Sequence, residues 1–133
     1  MKHIQRLIPH AIKAVEEAGI ANAQGKVATE FNGYVSSFGA SIISSGLLPT
    51  AIFYSQKKNA NEDRANIVKA IEYVIQKDTE NDSFDLLESV KDLYTSKPVN
   101  QQAVRRLSTQ VENSLVAIKL AIRIFEPIKK SKE

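Results

Sequence analysis

Between Phe31 and Gln56 run 26 consecutive residues without one charged side chain, in a chain of which a quarter is charged. Within this stretch Phe31, Tyr34, Val35, Phe38 and Ile42 recur at helical spacing, giving a helix one apolar and partly aromatic face. The other face carries Gly33, Ser37, Ser41 and Ser44, all small. Gly46 is placed just past the helix end, where a left-handed residue closes the last turn. Pro49 then suits the first position of a second helix. The segment reads as helix, tight turn and helix, with no charge to hold either face in water, and it is expected at the centre of the fold.

A segment of that length could in principle span a bilayer. Six serines and the break from Gly46 to Pro49 argue against a span, so no membrane is expected. At 133 residues the chain is read as a single domain, 1–133. It has no cysteine, which excludes disulfides, thiolate chemistry and cysteine-ligated zinc. The N-terminus lacks an apolar run of signal-peptide length, and the expected compartment is the cytoplasm.

The remaining pattern is helical throughout, with no strand signal. Ile4, Leu7, Ile8, Ala11, Ile12, Val15 and Ala18 form a 3.6-residue stripe, interrupted by Pro9 and ended by Gly19. Residues 20–29 read as a linker around Gly25. A fourth helix follows Asn61 as cap and runs to about Lys77. Ser83 is the expected cap of a short fifth helix. Asn100 caps the last and longest helix, reaching about Phe125 before Pro127 stops it. The predicted fold is all-α: a bundle of about six helices with a central helix–turn–helix hairpin and a long C-terminal helix.

The last helix turns almost wholly apolar from Leu115 to Phe125, broken only by Lys119 and Arg123. A helix apolar on nearly every side is buried in the bundle or against another chain. Lys119 and Arg123 lie one turn apart and repel slightly, which a nearby anion relieves, either Glu126 or an external phosphate. Net charge is only +3, yet residues 100–133 hold seven cations against three anions. Such an excess permits contact with phosphate or with an acidic partner.

No constellation points to catalysis. His3 and His10 are the only histidines, with Arg6 near them and no clear acidic ligand. The carboxylates form solvated clusters, no glycine pattern matches a phosphate loop, and the serines have no nearby histidine to activate them. No enzyme activity, metal or cofactor is expected. Nucleic-acid contact, if made, falls to the phosphate backbone through Lys2, Arg6, Lys13, Lys57, Lys58, Arg105, Arg106, Lys119 and Arg123.

The run YVSSFGASIISSGLLPTAIFYSQKK resembles the most characteristic segment of the small helical subunit of the type III-B CRISPR effector, the Cmr complex. The matching positions are Tyr34, Ile42, Ile43, Gly46, Leu47, Ala51, Phe53 and Lys57, with Ile118, Lys119 and Leu120 similar in the final helix. Ser45 departs from the polar residue, often asparagine, that precedes the turn in that family, and residues 59–99 match only in helical pattern. The resemblance implies a non-catalytic subunit that stacks in several copies beside the guide-RNA-holding subunits and lines a channel for target RNA. Its implied partners are other Cmr subunits, copies of itself, and guide and target RNA. Gly33, Ser37, Ser41, Ser44, Leu120 and Ile124 are the subunit-interface candidates. The alternative from another class is a stand-alone helical adaptor between proteins that touches no nucleic acid.

Overall fold

The computed structural model describes residues 2–56 and 62–128. Lys57, Lys58, the Asn61 cap and the tail lysines lie outside the described residues, as does the side chain of Lys2. The apolar stripe at the N-terminus forms α1 (Lys2–Glu17), which continues through Pro9 on its exposed face. Gly19, at φ 79°, ends it: the Ile20 amide reaches back to the Val15 carbonyl (3.1 Å), a six-to-one bond that closes the last turn. The chain then forms β1 (Lys26–Ala28), α2 (Glu30–Ser45), α3 (Leu47–Tyr54), α4 (Glu62–Thr79), α5 (Leu86–Thr95), α6 (Gln101–Ile122) and β2 (Glu126–Ile128).

α1 lies along α6 and antiparallel to α4, and α2 and α3 bridge the rest, α2 against α6 and α4, α3 against α4 and α5. The core they enclose includes Phe38, Ile67, Ile71, Leu86 and Ile118, all 0% exposed. Phe38 stacks on Tyr54 with ring centroids 4.4 Å apart, which ties α2 to α3. Arg64 of α4 sits over Tyr34 (5.8 Å) and Phe53 (5.2 Å), ties of the cation–π kind.

The turn between α2 and α3 is held by three oxygens. Thr50 is fully buried, and its Oγ1 donates to the Gly46 carbonyl at 2.8 Å. With its one proton spent there, Thr50 accepts from Ser41 Oγ, 2.6 Å away. Gly46 has φ 95° and ψ 165°, a conformation essentially reserved for glycine rather than the left-handed helical one expected. α3 begins at Leu47, so Pro49 occupies its third position; the missing amide still costs nothing, since the first turn leaves its N–H groups unpaired.

Three further expectations are corrected. The cap of α5 is Asp85 rather than Ser83, its carboxylate accepting from the Glu88 amide at 2.9 Å. α6 stops at Ile122, short of Phe125, while its Asn100 cap stands, accepting from the Ala103 amide. Residues expected as a linker and as the segment past the last helix form a small parallel sheet, Lys26 opposite Glu126 and Ala28 opposite Ile128. Three residues per strand are too few to display an alternating pattern.

Candidate binding surface

The geometry of α6 sorts its outward residues. Arg105, Thr109, Glu112, Val116, Lys119 and Arg123 follow one another at steps of three and four, so they form a single line along the helix. At 1.5 Å per residue that line is roughly 27 Å long. All but the half-buried Lys119 are exposed. Among the described residues no carboxylate pairs with Arg105, Arg106, Lys119 or Arg123. Glu126, a candidate for neutralising Lys119 and Arg123, is drawn instead to Lys26 at 3.9 Å by the strand pairing.

Lys119 donates to Ser36 Oγ of α2 at 2.6 Å, which sets the cationic line beside the outer face of the hairpin. That face consists of Asn32, Gly33, Ser36, Ser37, Ala40, Ile43 and Ser44, exposed and without charge. Ile43 is 84% exposed, although it lies within the most apolar stretch of the chain. A methyl group built on Gly33 meets nothing within 4 Å, so no described helix packs against the stripe at Gly33. Near the end of α6, Arg123 borders a depression of about 220 Å3 with Thr29, Asn32 and Phe125. The result is a neutral helix face flanked by unpaired cations.

Other candidates fall elsewhere. Ser41 is half-buried and committed to Thr50. Leu120 is half-buried against the core, whereas Ile124 is 64% exposed. Arg6 meets an acidic partner after all: its guanidinium grips both oxygens of Asp78 (2.9 and 3.2 Å) and reaches His3 Nδ1. Lys13 is exposed on α1. Sequence reasoning missed Ser36 and Asn32, whose only signal is their place within the uncharged stretch beside the predicted stripe.

Among the described residues no three His, Asp or Glu side chains converge to hold a metal. No helix among them is long and apolar enough to cross a membrane. Burial raises the pKa of Glu72, opposed by the bond its carboxylate accepts from the Leu86 amide at 2.8 Å. It supports the start of α5, a structural role. A family model described as CRISPR-associated protein (Cas_Cmr5) matches residues 3–117, ending two residues before Lys119. No curated protein and no solved structure matches the chain.

Proposed function

The chain belongs to the CRISPR-associated Cmr small-subunit family, and we propose that within that complex it is a non-catalytic building block whose α2–α6 face meets RNA and neighbouring subunits. The observation that carries this reading is the set of unpaired cations on α6 lying against an uncharged, exposed helix. A cation without a protein carboxylate is available to displace counterions from a phosphate backbone. Lys119 and Arg123 are the inner contacts, and Arg105 extends the track toward the start of α6. Arg6, neutralised by Asp78, contributes less.

The small-residue stripe serves assembly in this account. Gly33, Ser37 and Ser44 offer a surface on which another backbone approaches closely, and Ile43 and Ile124 supply apolar area that the chain leaves open. In this reading copies stack through such a face, with guide and target RNA along the α6 edge, and membership of the family supports it. Cleavage chemistry then belongs to other subunits.

Co-purification tests the proposal. A tagged chain expressed with the remaining effector subunits is expected to recover those subunits and RNA, and Ser37→Glu is expected to lower the recovery without lowering the melting temperature. Full recovery by Ser37→Glu removes the assembly role from this face. A protein partner recovered without RNA favours the adaptor reading instead.

A further inference from the structure

A second polar site lies where α1 begins, α4 ends and α6 passes between them. It is a pocket of about 150 Å3, floored by the buried Leu7 and Ile75. An apolar cavity of about that size admits one benzene ring, so the space fits one six-membered ring. Its hydroxyls are already committed: Thr79 donates to the Ile75 carbonyl and Ser114 to the Gln110 carbonyl. Asp78 has both oxygens on Arg6. By contrast, the carboxamides of Gln110 and Asn113, both half-buried and both lining the pocket, bond to no described residue.

Each of those carboxamides offers a donor pair and an acceptor, and Arg6 retains two of its five N–H groups. The pocket therefore asks for a flat ligand whose edge carries donors and acceptors side by side. An isolated phosphate is a poor match, because the one guanidinium is already balanced by Asp78. A nucleobase is a good one: carboxamides pair with base edges, and bases of single-stranded RNA leave their stack to be read this way. Arg106 lies one turn before Gln110 and on the same face of α6, exposed and with no carboxylate partner among the described residues, where a phosphate attached to such a nucleotide would pass.

We propose that this pocket takes one pyrimidine base of single-stranded RNA, with Gln110 and Asn113 reading its edge and Arg106 holding the adjoining phosphate. The inference rests on the RNA-facing reading above and adds to it a base-specific subsite on a different face of α6.

The test uses the full chain with oligo-uridylate and oligo-adenylate of equal length, and with uridine 5′-monophosphate as a small probe. The wild-type chain is expected to favour oligo-uridylate, and the monophosphate to shift the side-chain amide resonances of Gln110 and Asn113. The shape-preserving pair Gln110→Glu and Asn113→Asp, and separately Gln110→Leu with Asn113→Leu, are each expected to lose about tenfold for oligo-uridylate. The leucine pair should alter neither oligo-adenylate binding nor the salt dependence, whereas the acidic pair, which adds two negative charges, should lose more on oligo-uridylate than on oligo-adenylate. Equal losses on both oligonucleotides, or no preference in the wild type, overturn the pocket and leave the α6 reading standing. Absence of binding to any RNA by chain and assembled complex overturns both.

Discussion

Substituting alanine for glycine at two places in α2 and its turn is expected to move stability in opposite directions. At Gly46 a new methyl meets only Pro49 Cδ, at 3.8 Å, so there is no clash. The cost is conformational: φ 95° with ψ 165° is closed to side chains bearing Cβ, at about 1–3 kcal/mol. Restriction of the unfolded chain returns about 0.4–1 kcal/mol, leaving a net loss of about 1–2 kcal/mol. At Gly33 the backbone is helical and the space around the new methyl is open. There the same change gains about 0.8–1 kcal/mol of helix propensity. At roughly 4 °C per kcal/mol for a chain of this size, Gly46→Ala melts about 4–8 °C lower and Gly33→Ala about 3–4 °C higher. Circular dichroism melts of the isolated chain check both signs. A destabilised Gly33→Ala chain would mean that Gly33 packs inside the chain, contrary to the open space around it. If Gly33→Ala stabilises the chain yet weakens co-purification with the effector, the glycine is kept for contact rather than for folding.

Phe38→Ala, which empties a fully buried site and removes the Tyr54 stack, is expected to cost about 3–5 kcal/mol in chemical denaturation; a loss below ~1 kcal/mol contradicts the described core. Arg64→Ala should loosen the hairpin from α4 by about 1 kcal/mol, with Arg64→Lys recovering part of it, since both rings lose or keep a cation above them. Glu72 has a raised pKa in the fold, so the native state binds more protons than the unfolded one. Its contribution is therefore present below the ordinary carboxylate range and lost as pH rises through the raised value. Glu72→Gln keeps an acceptor for the Leu86 amide and is expected to raise the melting temperature at pH 7, with the gain shrinking toward pH 4; a lower melting temperature at pH 7 reverses the argument.

What the sequence made legible was local. The 3.6-residue stripes, the glycine after α1 and the Asn100 cap each act within a turn of their own position, and the structure keeps them. The α5 cap was also local and was missed: Asp85 followed three residues later by Glu88 is the better capping signature, and Ser83 lacks it. The strand pair joins residues a hundred positions apart through three residues each, which no periodicity announces. The surface divides the same way. Which residues are cationic is visible in the chain, but whether a cation is free depends on distant partners. Asp78 takes Arg6 across 72 positions, and Lys26 takes Glu126 away from Arg123. Lys119 finds a serine 83 positions away rather than an acid.

The most direct measurement is the salt dependence of target-RNA affinity for the reconstituted effector, with the wild-type chain and with Lys119→Gln, Arg123→Gln in its place. Removing two cations from the phosphates of a single strand should flatten the logarithmic slope by about 1.4 and weaken binding. An unaltered slope, whatever happens to the affinity, would show that α6 does not face the RNA backbone.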